Sequence, residues 1–107
     1  MAHVLAVANQ KGGVAKTTTV ASLGVALQEL GRRVLLVDLD PQACLTFSLG
    51  VDPDTLAISV HEVLLGDLAI GDAIVATADG PSLLPATRKM SRSLRHVLLR
   101  GLYEGLR

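Results

Sequence analysis

The stretch that most constrains the fold of this 107-residue chain is a polar loop with two adjacent glycines, NQKGGVAKTT at residues 9–18. The apolar run His3 to Ala8 precedes it and predicts a buried strand, and a helical pattern follows it. A strand, a glycine-containing loop and then Lys-Thr opening a helix form the context that a phosphate cradle requires. Backbone N–H groups converge there, and the helix dipole favours an anion. The order of these segments therefore predicts a phosphate-binding loop.

Two side chains at the end of the loop fit the chemistry of a nucleotide with bound magnesium. The ammonium of Lys16 can reach the β and γ phosphates, and the hydroxyl of Thr17 can ligate Mg²⁺. The strict pattern G-x-x-x-x-G-K-[ST] fails, because Gln10 and Ala15 occupy the two glycine positions. The form K-G-G-x-x-K-[ST], with a second lysine at Lys11, does fit. Alanine at position 15 is tolerable if that residue already has helical backbone angles.

A pair of aspartates follows the second predicted strand. The continuous apolar run Val34–Val37 predicts a strand with both faces covered. It ends in Asp38 and Asp40, at the carboxyl end where open α/β sheets bind ligands. If the strand continues that far, the two carboxylates lie on one side, near the Mg²⁺–phosphate site. The alternative is that two acidic residues simply end a strand.

The deviant loop with two lysines resembles the ParA/MinD family of P-loop ATPases. Asn9-Gln10 and the segment DLDPQ at 38–42 are similar to the ParA/Soj partition branch of that family. The resemblance implies an α/β fold, a P-loop NTPase-type parallel sheet flanked by helices. It covers residues 1–86, so we expect a domain that is incomplete at its C-terminal side, followed by a basic, helical tail at 87–107.

The resemblance also implies ligands and roles for the site. ATP and Mg²⁺ are the expected cofactors, and the metal ligands are Thr17 and Asp40. Lys11, Lys16 and Asp40 are the expected catalytic residues, with Asp40 positioning the attacking water and Lys11 reaching the nucleotide of a second subunit. The nucleotide-binding set is Lys11, Gly12, Gly13, Val14, Ala15, Lys16, Thr17 and Thr18.

For complete members, the resemblance implies ATP-dependent homodimers, non-specific DNA binding and a ParB-like partner in chromosome or plasmid partition. The family's second metal-side motif and later segments do not occur in this sequence, so we expect this chain to be inactive as an ATPase. Two alternatives stay open. One is a non-enzymatic remnant or interaction module, and the other is a MinD-like membrane-associated positioning ATPase.

The charge is distributed unevenly, although the formal net charge is zero. Residues 1–87 hold four Lys/Arg against nine acidic residues, whereas residues 88–107 hold six Lys/Arg against Glu104 alone. A basic amphipathic helix can bind a membrane surface or nucleic acid. There are two alternatives: a helix that packs on a sheet, and a tail that is foreign to the domain. Gly101 and Gly105 favour these two alternatives, because glycines weaken the helix. Its apolar positions are Met90, Leu94, Val97, Leu98, Leu102 and Leu106.

Composition narrows the class of protein further. Half of the residues are apolar, but there is no tryptophan, so the core must consist of aliphatic side chains. The single cysteine, Cys44, excludes an internal disulfide and is expected to be a packing residue. No apolar run reaches membrane-spanning length, so we expect no stable membrane insertion and a cytoplasmic location.

The remaining segments carry local signals. The helix after the loop is expected over Lys16 to Leu30, with Gly24 allowing close approach to a sheet and Gly31 ending it. Ser59 and Glu62 match a capping box for a helix at residues 60–65, in which His61 is an ordinary packing or surface histidine. Residues 69–77 are predicted weakly helical, and residues 82–85 are predicted to form a third strand.

Overall fold

The computed structural model describes residues 3–7, 14–87, 89, 95–97 and 99–100. Four helices and three short strands lie within residues 14–87. They are α1 (Val14–Glu29), β1 (Leu35–Val37), α2 (Cys44–Ser48), α3 (Val60–Leu64), α4 (Ile70–Ala73), β2 (Val75–Ala76) and β3 (Ser82–Leu84), with a single 3₁₀ turn at Pro53–Thr55. No helix within these ranges is both long and apolar enough to cross a membrane.

The strands form one mixed sheet with the order β1-β3-β2. β1 and β3 are parallel, with Leu36 opposite Leu83, while β2 is antiparallel to β3. The expected α/β architecture and the third strand are therefore confirmed. The sheet also contains an antiparallel strand that the sequence did not indicate.

The two faces of β3 carry separate apolar clusters. Leu83, which has no exposed surface, packs with Leu36, Leu45 and Leu49 on the face that also contacts α1. Leu84 points to the opposite face, because side chains alternate along a strand. Its cluster contains Ala43, Val60, Ala73 and Ala86. β3 is thus the covered central strand of a three-layer arrangement.

α1 packs closely on the sheet because it has a glycine at the point of contact. A Cβ on Gly24 would come within 2.8 Å of the Leu36 side chain. The helix ends where the sequence predicts: Gly31 has a φ of 84°, and its N–H donates to the Gln28 carbonyl. The Arg32 N–H donates to the carbonyl of Leu27, which completes a Schellman motif.

The predicted capping box of α3 is confirmed. The Ser59 hydroxyl accepts a hydrogen bond from the His61 N–H at 3.2 Å, and Glu62 accepts from the Ser59 N–H at 2.8 Å. His61 is buried, so it is a packing residue; its Nε2 lies 3.9 Å from a Glu62 carboxylate oxygen. Gly66 follows the helix with a φ of 82°, the left-handed conformation in which a glycine commonly ends a helix.

The prediction of a first strand at His3–Ala8 is wrong for the described residues 3–7. These residues have no regular secondary structure, and Val4 and Leu5 are 90% and 69% exposed. β3 already has a neighbour on each side, and residues 3–7 do not pair with the outer edge of β1. A strand persists only as part of a ladder, and residues 3–7 take part in none among the described residues.

The prediction that both faces of β1 are covered is also wrong. Leu36 is buried, but Leu35 and Val37 are 40% and 41% exposed. The Val34 carbonyl accepts a hydrogen bond from β3, and the Asp38 N–H donates one to β3. The backbone groups of Leu35 and Val37 therefore point away from β3. Among the described residues, β1 is therefore an edge strand with an apolar, exposed face.

This open edge leads us to expect self-association. Unpaired N–H and C=O groups beside exposed apolar side chains form a template for another strand. The purified chain should form oligomers at micromolar concentration in size-exclusion chromatography with light scattering, with or without nucleotide. Leu35→Lys should shift it toward monomer, because a charge on an edge strand opposes pairing. Leu30→Lys, at an exposed position outside the strand, is the matched control. A sharp monomer peak for the unmodified chain would contradict the prediction.

Two smaller predictions also differ from the structure. Residues 69–77 are only partly helical, because α4 ends at Ala73 and β2 begins at Val75 to pair with β3. Cys44 is exposed and so is not a packing residue. It is the first residue of α2, where its neighbours Ala43 and Leu45 take the buried positions.

Candidate functional site

The predicted phosphate loop leads into the longest helix of the described chain. α1 begins at Val14, two residues before the expected start at Lys16, so Ala15 has the helical backbone angles that an alanine readily adopts. The first turn has no acidic residue. The N–H groups of the first turn and the positive end of the helix dipole therefore favour an anion at this end of the helix.

Lys16 and Thr17 both lie in the first turn of α1 and are half-buried, whereas Thr18 is exposed. A half-buried cation beside a helix N-terminus suits a phosphate group, because both contribute positive charge in a partly desolvated setting. Lys11, Gly12 and Gly13 lie outside the described residues, as do the side chains of Val14 and Ala15.

The connection between α1 and β1 determines where Asp40 lies. The helix leads into the strand through the short segment at residues 30–34, and Gly24 packs on Leu36. A helix joined to the next strand by a short connection and packed on it runs antiparallel to it. The N-terminus of α1 and the carboxyl end of β1 therefore lie at the same end of the molecule, which puts Thr17 and Asp40 at that end.

Asp40 is half-buried in a tight turn after β1. One of its carboxylate oxygens accepts from the Gln42 N–H at 2.9 Å, and its carbonyl accepts from the Ala43 N–H at 2.8 Å. The other carboxylate oxygen accepts no hydrogen bond from the described residues.

Asp38 differs from Asp40. The two carboxylates were expected on one side only if the strand continued through them, and β1 ends at Val37. Asp38 is 3% exposed. It accepts from the Asp40 N–H at 3.1 Å, from the Thr46 N–H at 3.0 Å and from the Thr46 hydroxyl at 2.7 Å. These donors compensate a buried carboxylate that has almost no exposed surface.

Thr46 is the residue that the sequence analysis missed. It is fully buried in α2, between the apolar residues Leu45 and Phe47. The nearest available signal was a threonine in a mainly apolar helical turn close to the two aspartates. Neither its partner nor its burial can be read from that spacing.

A groove of about 550 Å³ runs along α1 from Thr17 to Glu29 and is bounded on its other side by Ser48 and Asp79. Lys16 and Asp40 do not line it. The groove therefore begins at Thr17 and extends along α1 toward Glu29, away from Lys16 and Asp40.

Part of the basic tail is described. Residues 95–97 and 99–100 are helical and exposed, including Val97 and Leu99. The remaining apolar positions of the predicted amphipathic pattern, Met90, Leu94, Leu98, Leu102 and Leu106, lie outside the described residues or side chains.

Comparison with known proteins places the chain among nucleotide-binding proteins. The family model described as "AAA domain" matches residues 2–100. The sporulation initiation inhibitor protein Soj of Bacillus subtilis is 41% identical over 92 residues, which are 85% of this chain and 36% of Soj. The chromosome partitioning protein ParA of Caulobacter vibrioides is 45% identical over 90 residues, 83% of this chain and 34% of ParA.

Among solved structures, cobyrinic acid a,c-diamide synthase from Mycobacterium smegmatis, with bound ADP and magnesium, superposes with a TM-score of 0.83. It is 70% identical over the aligned region, which covers 85% of this chain and 37% of that protein. The chain therefore spans about a third of the length of the relatives that it matches.

Proposed function

The chain belongs to the AAA domain family, and from that premise we propose that it binds Mg·ATP at the N-terminus of α1. Lys16 contacts the β and γ phosphates, Thr17 and Asp40 hold the magnesium ion, and the backbone from Lys11 to Thr18 surrounds the phosphates. When bound, magnesium neutralises charge on the phosphate oxygens.

One observation carries this proposal. The first turn of a 16-residue helix has no acidic residue, presents a half-buried lysine and threonine, and lies at the same end of the sheet as Asp40. Lys16 and Thr17 contribute a cation and a hydroxyl at this end, and Asp40 contributes a carboxylate. The donor set is one that Mg²⁺ accepts, since hydroxyl and carboxylate oxygens are its preferred protein ligands.

The biological role that we propose is partition of chromosomal or plasmid DNA. The relatives named ParA and Soj, and the segment DLDPQ at 38–42, support it. In the protein of full family length, we propose ATP-dependent homodimers in the cytoplasm that bind DNA without sequence preference and act with a ParB-like partner. Lys11 then reaches the nucleotide of the other subunit and, together with Lys16 and Asp40, belongs to the catalytic set.

A second candidate function is ATP-dependent amide synthesis. The solved structure that is 70% identical over the aligned region is named as a cobyrinic acid a,c-diamide synthase. Both functions use the same magnesium–nucleotide site, so this chain contributes that site in either case. In the full-length protein, DNA should stimulate ATP turnover if the role is partition. A carboxylic acid with an amide donor should stimulate it if the role is amide synthesis.

Isothermal titration calorimetry tests the binding proposal on this chain. Mg·ADP and Mg·ATP should bind at one site per chain, and omission of magnesium should weaken binding. Heats equal to those of dilution for both nucleotides would contradict the proposal and favour a remnant or interaction module that does not bind nucleotide.

We expect no steady ATP turnover by this chain, alone or with DNA. Phosphoryl transfer depends on stabilising charge that spreads over the transferred group, and each missing contact typically lowers the rate about a hundredfold. In a coupled assay, the rate of phosphate release with this chain should equal the rate measured in buffer alone. Turnover that Asp40→Ala abolishes would show that the residues present here suffice for hydrolysis.

A further inference from the structure

Two buried polar residues next to the proposed site have no role in binding the nucleotide. Asp38 is 3% exposed and Thr46 has no exposed surface. They contact each other directly, and together they join three segments that lie apart in the sequence. These segments are the end of β1, the helix α2 and the chain that leaves β3.

The direction of each hydrogen bond follows from the chemistry of the partners. The Thr46 hydroxyl donates to Asp38 at 2.7 Å and accepts from the Ala86 N–H at 2.9 Å. A carboxylate has only acceptor oxygens and a backbone N–H has only a donor, so the hydroxyl has one orientation that satisfies both. A buried hydroxyl used in both directions fixes the positions of its two partners.

The other carboxylate oxygen of Asp38 accepts from the backbone N–H of Asp40 at 3.1 Å. Asp38 is also held from the opposite side, because its own N–H donates to the Leu84 carbonyl at 3.1 Å. The carboxylate therefore links the Asp40 turn to α2 and to the segment after β3. A change at Thr46 reaches Asp40 through one intervening side chain.

The turn that Asp38 holds contains an unfavourable backbone conformation. Ala43 has a φ of 55° and a ψ of 34°, the left-handed region that non-glycine residues seldom adopt. Such a residue persists only where its surroundings impose the conformation. Asp38 bonds the backbone on both sides of it, at Asp40 before Ala43 and at Thr46 after it.

We propose that Thr46 and Asp38 are positioning residues that hold the Asp40 turn in the conformation that presents its carboxylate to magnesium. This inference rests on the proposed function, because it assigns Asp40 to the metal. It adds a buried pair, distant from the phosphate loop in sequence, on which the metal side of the site depends.

The test uses Thr46→Val, which keeps the shape and removes the hydroxyl, and Thr46→Ser, which keeps the hydroxyl. Thr55→Val is the matched control, since the Thr55 hydroxyl donates to the Asp52 carbonyl in an exposed turn. The first readout is amide hydrogen exchange in the nucleotide-free protein. Thr46→Val should speed exchange of the Asp40 N–H about tenfold, while Thr46→Ser and Thr55→Val leave it near the wild-type rate.

The second readout is the ratio of the dissociation constants for ADP without and with magnesium. Thr46→Val should lower this ratio toward one while leaving the affinity for ADP alone unchanged, and Thr46→Ser should restore it. A general loss of structure would instead weaken ADP binding in both conditions. A magnesium dependence equal to wild type in Thr46→Val would overturn the positioning role while leaving the proposed function intact.

Failure of the proposed function gives a different result. If the wild-type chain itself binds no Mg·ADP, both the proposed function and the positioning role are overturned. If Thr46→Val does not fold, native-state exchange of the wild type decides. The amides of Asp40, Thr46 and Ala86 should then open together, and independent opening of these three amides would contradict the proposal.

Discussion

Lys16→Ala is expected to abolish measurable binding of Mg·ATP and Mg·ADP to this chain. Lys16 is half-buried in the first turn of α1. It lies within the segment whose backbone is proposed to bind the phosphates. Hydrogen bonds to charged groups contribute roughly 3 kcal/mol, which is about a hundredfold in the dissociation constant. Isothermal titration calorimetry of both proteins, side by side, measures the difference.

Lys89→Ala is the control for this experiment. Lys89 is an exposed lysine outside the proposed site. Its replacement by alanine removes the same charge as Lys16→Ala but no proposed contact with phosphate. Its binding should equal that of the wild type. Equal binding by wild type and Lys16→Ala would exclude the assignment of the phosphate site to the first turn of α1.

Leu83→Ala is expected to give the largest loss of stability among single substitutions in the described core. Leu83 has no exposed surface, and it packs with Leu36, Leu45 and Leu49 at the centre of the sheet. Removing a buried leucine side chain typically costs about 3 kcal/mol, through lost burial and the cavity left behind. Small domains have a free energy of unfolding of only about 5–15 kcal/mol. Urea denaturation followed by circular dichroism measures the change.

Leu30→Ala makes the same chemical change at a position that is 76% exposed. We expect its free energy of unfolding to stay within about 0.5 kcal/mol of the wild type, as for most surface substitutions. If the two leucine variants lost stability equally, β3 could not be the covered central strand.

Local sequence signals predicted the elements whose structure depends on neighbours in the chain. The capping box at Ser59 and Glu62 and the glycine stop at Gly31 were predicted correctly, because both involve hydrogen bonds within a few residues. The start of α1 was predicted less well, because the helix was expected to begin at Lys16 and begins two residues earlier, at Val14.

The predictions that failed depend on partners distant in sequence. Whether residues 3–7 form a strand, and whether Leu35 and Val37 are covered, is decided by segments that must pair with them. An apolar run indicates that a segment tends to be buried, but it does not indicate which segment will pair with it. β2 was missed for the same reason, because a two-residue strand exists only through its pairing with β3.

The site shows the same division between local and distant signals. Lys16 and Thr17 follow from a local motif whose spacing carries the chemistry. Thr46 does not, because its contact with Asp38 spans eight residues and its contact with Ala86 spans forty. The different burial of Asp38 and Asp40 likewise follows from the position of α2, which the spacing of two aspartates cannot indicate.

The central claim is that the first turn of α1 and the Asp40 turn bind one magnesium–nucleotide complex. Titration of the ¹⁵N-labelled chain with Mg·ADP, followed by two-dimensional NMR, tests it most directly. The amides of residues 14–18 and of Asp40 should shift together with a single dissociation constant, and those of α4 should stay unchanged. An absence of shifts at residues 14–18, or shifts confined to Glu29 and Asp79 at the far end of the groove, would contradict the claim.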